Sequence, residues 1–144
     1  MIVRQILKLK SSNEVATIPP SATVREAAEI LSAKRIGAVI VSADGKVPEG
    51  ILSERDIVRE LGQRGPGCMS QCVIELMTAE LVGCTLDETS DHVLARMTEG
   101  RFRHMPVMED GKMAGLISIG DVVKARLAEL SMEKDALQGM IMGR

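Results

Sequence analysis

Aromatic residues are almost absent from this chain: Phe102 is the single one, and there is no tryptophan or tyrosine. A platform of rings for stacking single-stranded bases is thereby excluded. Positive charge is not in surplus either. Eighteen Lys and Arg stand against 20 Asp and Glu, a net charge of −2, so nothing drives general attachment to nucleic acid. No apolar run approaches the ~20 residues of a membrane span, and Met1-Ile2-Val3-Arg4-Gln5 has no signal-peptide pattern. Three cysteines, an odd number, fit a reducing compartment better than a disulfide framework, and the expected location is cytoplasmic. Cys68 and Cys72 have i, i+4 spacing, whereas metal-site cysteines more often come as C-x-x-C pairs. With Cys84, His92 and His104 as the other candidates, no metal is expected. A thiol sensor in a flexible linker is the competing use of Cys68 or Cys72. There is no P-loop, G-x-G-x-x-G or Ser–His–Asp order, so the chain is not expected to be an enzyme.

What is present is a ten-residue string used twice. Gly50-Ile51-Leu52-Ser53-Glu54-Arg55-Asp56-Ile57-Val58-Arg59 returns as Gly115-Leu116-Ile117-Ser118-Ile119-Gly120-Asp121-Val122-Val123-Lys124. The offset is 65 for both the glycines (115 − 50) and the aspartates (121 − 56). In each copy an aliphatic pair ends a buried strand, and the Ser or the Asp caps the helix that follows. A hydroxyl and a carboxylate three residues apart, beside free helix N–H groups, also suit a sugar–phosphate. The plain alternative is a cap and nothing more.

The 144 residues, 45% apolar and 26% charged, have the composition of an ordinary globular protein and the length of one domain or two small ones. Val3, Ile6 and Leu7 mark a short lead-in helix, and Val15-Ala16-Thr17-Ile18 a strand stopped by Pro19-Pro20. Ser21 or Thr23 caps a helix that buries Val24, Ala27, Ala28 and Leu31. Ile36 to Val41 is a strand covered on both faces, Ala43 to Lys46 a hairpin turn, and Asp56 to Leu61 a helix closed by Gly62. After a linker at 63–70 the pattern restarts, with Leu81-Val82-Gly83-Cys84 echoing the first strand and Thr89 echoing Thr23. The expected organisation is 1–62, a linker at 63–70, 71–126, and a helical extension at 127–144. A unit of about 60 residues is marginal alone. Two β-α-β-β-α units with pseudo-two-fold symmetry would share a core and turn their Ser–Asp turns toward a common cleft.

In these features the sequence resembles a tandem CBS-domain protein, a stand-alone pair of the bacterial type. The resemblance rests on Gly50 to Asp56, Gly115 to Asp121, the strands Gly37 to Val41 and His104 to Val107, and Met77-Thr78, and covers roughly residues 1–126. It implies an α/β fold and a homodimeric, non-catalytic module for adenosine-containing ligands: AMP, ADP, ATP, NAD(H) or S-adenosylmethionine. Such a module senses its ligand by favouring one arrangement of its units and modulates a protein partner. The alternative is a constitutive dimerisation or interaction module with no physiological ligand. By the resemblance, Asp56 and Asp121 take the ribose and Ser53 and Ser118 the ribose or phosphate. Thr17, Ile18, Gly37, Ala38, Val39, Gly83, Cys84 and Met105 surround adenine. Arg101, Arg103 and His104 cluster near the second middle strand and suit phosphate. If that strand is already extended there, Arg101 and Arg103 share one side and His104 the other. The competing reading is a solvated strand end paired with Glu99 or Glu109. Arg55 is the first-unit base; its counterpart, Gly120, departs from it, so the two sites are expected to be unequal.

Beyond the repeat, Val123, Leu127, Leu130, Leu137 and Ile141 form a heptad-like stripe interrupted by Lys134. It predicts a helix running on from Asp121. That helix either lies back on its own module or offers its seam to a second chain.

Overall fold

The computed structural model describes residues 1–143. In chain order the elements are α1 (Val3–Leu9), β1 (Thr17–Ile18), α2 (Val24–Lys34), β2 (Ala38–Val41), β3 (Gly50–Ser53), α3 (Glu54–Arg64), a 3-10 helix (Pro66–Ser70), α4 (Val73–Leu76), α5 (Ser90–Gly100), β4 (His104–Glu109), β5 (Lys112–Ser118) and α6 (Ile119–Ile141). This is the expected α/β fold. The compact units in space do not follow chain order. One, the α3 unit, comprises Glu14–Val82 and Glu109–Ala114. The other, the α6 unit, comprises Met1–Asn13, Gly83–Met108 and the chain from Gly115 onward. Each repeat's lead-in helix therefore belongs to the unit built on the other repeat.

In the α3 unit, β1, β2 and β3 form a sheet in that order. β1 is parallel to β2, with Ile18 opposite Val41. β3 is antiparallel, with Ala38 opposite Ser53. β2 reads Ala-Val-Ile-Val and is buried at every position, as a strand covered on both faces must be. Val24, Ala27 and Leu31 of α2 pack with Val39, Val41, Leu52, Ile57 and Val73. The turn after β2 is held by Asp44, whose carboxylate accepts the N–H groups of Lys46 (2.8 Å) and Val47 (2.9 Å). Those bonds lower its pKa from 3.8 to about 2.

In the α6 unit, α1 docks through Val3 N–H to the Glu88 carbonyl and Arg4 N–H to the Leu86 carbonyl, both 2.9 Å. The strand expected at Leu81–Cys84 contracts to a single parallel bridge, Cys84 with Val107. The cause is Pro106. In the α3 unit, Ile40 N–H donates to the Ala16 carbonyl at 3.0 Å. The residue equivalent to Ile40 is Pro106 (66 residues on, 106 − 40), which has no N–H to give.

Two further expectations are corrected. α3 does not close at Gly62; it runs on to Arg64 and stops at Gly65, whose φ is +77°. Gly62 is tolerated inside the helix, and Gly65, at positive φ with an extended ψ of −176°, takes a conformation open to glycine that ends it. Residues 63–70 are not a flexible loop either. The 3-10 helix fills most of that span, Cys68 is buried and Cys72 half-buried, so a freely accessible Cys68 thiol is not what the fold provides.

Candidate functional site: the Ser–Asp turns and their cations

The two copies of the ten-residue string build the same object. Ser118 ends β5 and caps α6: its Oγ accepts the Asp121 N–H at 3.1 Å, and the Asp121 carboxylate accepts the Ser118 N–H at 2.9 Å. Ser53 and Asp56 do the same at the start of α3, at 3.2 and 2.9 Å. Each is a reciprocal capping box formed by one oxygen, Oδ2, of the carboxylate. A second anchor is also repeated. Ile119 N–H donates to the Arg103 carbonyl (2.8 Å), as Glu54 N–H does to the Gly37 carbonyl (2.9 Å). Thus Gly37 and Ala38 lie beside the Ser53–Asp56 turn, and Arg103, immediately before β4, lies beside Ser118–Asp121.

The charges around the two turns differ. In the α6 unit, Lys10 extends its ammonium to Asp121 Oδ2 at 3.1 Å and to the Leu116 carbonyl at 2.7 Å. Partial burial by itself raises the Asp121 carboxyl, but the Ser118 N–H and Lys10 outweigh it and hold the pKa below the ordinary value. In the α3 unit the cation is Arg59, 3.5 Å from Asp56 Oδ1 and largely exposed, while Arg55 is exposed one residue before Asp56. Lys10 and Arg59 were both missed by sequence reading. Arg59 was legible, three residues from Asp56 on a helix. Lys10 was not: it lies 111 positions from Asp121 (121 − 10). Counted from Val3 and Val73, the residue matching Lys10 is Glu80 (10 − 3 and 80 − 73 are both 7), of opposite sign. The departure at Gly120 therefore does not leave the second turn without a cation, because Lys10 supplies one. A Cβ at Gly120 would meet nothing closer than Ser118 Oγ at 3.6 Å, and the N-terminal end of a 23-residue helix favours negative charge there.

The remaining candidates divide. Val39 and Met105 are fully buried, and Ile18, Ala38 and Cys84 nearly so, so their side chains are core in this structure. Cys84 is a protonated thiol, pushed up to about 12 by burial and by Glu88. Thr17, Gly37 and His104 are half-buried. Gly83 lies close against β4, where a Cβ would come within 3.2 Å of the Pro106 carbonyl. Arg101 is corrected: it is not on an extended strand with Arg103. It caps α5 in the left-handed conformation, φ +57°, with Phe102 N–H returning to the Met97 carbonyl at 3.2 Å, a helix-ending turn. The strand begins only at His104, and Arg101 and Arg103 are both exposed. His92 sits outside this region, 3.2 Å from Glu88. Among the described residues no group of three or more His, Cys, Asp and Glu could hold a metal ion, and no helix is long and apolar enough to cross a membrane.

Comparison with known families decides what this repeated turn belongs to. The model of the CBS domain matches twice, at residues 3–63 and 73–128. The chain belongs to the CBS-domain family. As a CBS pair it is 34% identical over 125 residues to the mitochondrial CBS domain-containing protein CBSX3 of Arabidopsis thaliana, covering 84% of this chain and 61% of that protein. Other Arabidopsis relatives are longer still, and this chain spans about a quarter of their length. Among solved structures, the CBS-domain containing protein ATU1752 from Agrobacterium tumefaciens matches at 45% identity and a TM-score of 0.82, covering 87% of this chain and 92% of that one. The CBS domain protein PAE2072 from Pyrobaculum aerophilum, complexed with AMP, matches at 25% and 0.77, covering 92% and 99%. The CBS pair of MJ0100, in complex with 5′-methylthioadenosine and S-adenosyl-L-methionine, matches at 25% and 0.76, covering 87% and 98%.

Proposed function

We propose that this CBS pair is a non-catalytic regulatory module that binds an adenosine-containing ligand at the Ser118–Asp121 turn, and that it prefers an anionic ligand such as AMP. The observation that carries this reading is the arrangement of Asp121, Lys10 and Ser118 at the start of α6. Asp121 commits Oδ2 to the cap and to Lys10, which leaves the other oxygen to accept hydroxyls of a ribose. Lys10 and the helix N-terminus then favour a phosphate over a positively charged sulfonium. The AMP complex of one structural neighbour and the S-adenosylmethionine complex of another support the ligand class. Adenine would meet Gly83, Cys84 and Met105 through backbone, since the Cys84 and Met105 side chains are core. Binding shifts the population of conformers and changes a surface read by a protein partner, in a cytoplasmic homodimer. ATP and NAD(H) share the ribose and the phosphate and are the next candidates.

The test is calorimetric titration of the purified chain with AMP, ATP, NADH, adenosine and S-adenosylmethionine. AMP is expected to bind, and Asp121→Ala to abolish it. Absence of binding by every member of the panel, to protein checked free of carried-over nucleotide, would overturn the reading. A second reading, a constitutive dimerisation module, is favoured by one observation: the apolar residues along α6 that lie open to solvent.

A further inference from the structure

α6 is longer than the body that supports it. α5 and α1 pack on its first half, where Val122 and Ala125 are buried. Beyond Leu130 no described side chain is buried. A helical segment of about a dozen residues standing alone in water is marginal at best, yet this one carries Leu137, Met140 and Ile141 at 60–85% exposure. The alternative in which the helix lies back on its own module does not hold for the stripe. Val123, Leu127, Leu130, Leu137 and Ile141 are all exposed, about a third of a turn away from the face that Val122 and Ala125 bury. With Lys134 the stripe has the 4-3-4-3-4 spacing of a two-helix seam.

We propose that α6 pairs antiparallel with α6 of a second copy of this chain, Leu127 of one meeting Leu137 of the other. Lys134 decides the direction. A parallel pair sets each stripe residue against itself and brings two Lys134 ammonium groups together in the seam. An antiparallel pair centred at Met132 sets Val123 against Ile141, Leu127 against Leu137, and Leu130 against Lys134. The Lys134 stem then lies along Leu130 of the second copy. Its charge is about 4.5 Å along the axis from the level of that copy's Glu133. Among the described residues neither Glu133 nor Lys134 has an ion pair within its own chain, so two intermolecular pairs form without breaking any. Sliding the register by one heptad uncovers two stripe residues of each copy, Leu137 and Ile141 in one direction, Val123 and Leu127 in the other. The inference rests on the homodimer reading above and is independent of the ligand.

The test uses the full chain with Cys72→Ser, because Cys68 and Cys84 are buried. Leu127→Cys and Leu137→Cys are made singly and together and treated with a short bis-maleimide, and each protein's mass is followed by sedimentation. The double variant is expected to give a covalent dimer and the singles none, because identical positions then lie ~15 Å apart along the axis. Cross-linking of the singles would show a parallel pair and overturn the proposal. A dimer by sedimentation that the double variant does not trap places the interface elsewhere, overturning the proposal while the dimer stands. A monomer at tens of micromolar overturns both. Leu130→Lys, at an already exposed site, would set an ammonium against Lys134 of the other copy and is expected to weaken dimerisation at least tenfold with helix content unchanged; an unaltered dimer would also contradict the proposal.

Discussion

At the scale of single residues, the glycine that opens each string is fixed by packing rather than by turn geometry. A Cβ on Gly50 would strike Met77 and lie 3.0 Å from the Thr78 carbonyl, and one on Gly115 would lie 3.0 Å from Leu7. Gly50→Ala and Gly115→Ala are therefore expected to destabilise the fold by about 1–3 kcal/mol each, measurable by urea unfolding followed by circular dichroism. The Thr78 carbonyl is backbone while Leu7 is a side chain that can shift, so Gly50 is expected to be the costlier of the two. Lys10 carries the corresponding prediction for function. Lys10→Met should weaken AMP binding about tenfold or more, the effect of losing a charged hydrogen bond, and leave adenosine nearly unchanged. Equal losses for both ligands would assign Lys10 to positioning Asp121 rather than to the phosphate. The serines and aspartates of the site were legible because they recur at one spacing. Lys10 was not, because its partner is reached only when the lead-in segment folds onto the distant repeat.

At the scale of elements, the capping boxes join the fold to the candidate site. Asp121 titrates below its ordinary value because the Ser118 N–H and Lys10 outweigh burial, and Asp44 titrates near 2 because backbone N–H groups hold it. For carboxyls depressed in the folded state, the stabilisation is complete above the unfolded value near 3.8 and is lost as pH falls through the folded one. Melting temperature is therefore expected to drop between about pH 4 and 2, and Asp44→Asn and Asp121→Asn to flatten that limb. An acid limb in both variants that is unchanged from the wild type would contradict this assignment. The helices and buried strands were legible because apolar periodicity reports burial. The end of α3 was misplaced because Gly62 and Gly65 are equally plausible stops in sequence, and φ is positive only at Gly65. The strand at Leu81–Cys84 was overextended because the interruption lies in its partner, at Pro106, rather than in its own residues.

At the scale of the whole molecule, the duplication was plain in sequence, but the exchange of lead-in helices was not. Val3 and Val73 read alike, and local patterning does not say which repeat a short amphipathic helix will join. That exchange makes the two turns unequal, because it brings Lys10 to Asp121. Asp121→Ala is accordingly expected to cost far more AMP affinity than Asp56→Ala. The central claim is that a CBS pair nearly without aromatics binds an anionic adenosine ligand through Asp121. The most direct measurement is a thermal melt by circular dichroism with and without AMP, on the wild type and on Asp121→Ala. At about 100 times the dissociation constant, AMP should add about 2.7 kcal/mol, a rise of roughly 5–10 °C for a chain of this length, and the variant should show none. An unmoved wild-type melt, or a rise that survives in Asp121→Ala, would contradict the account.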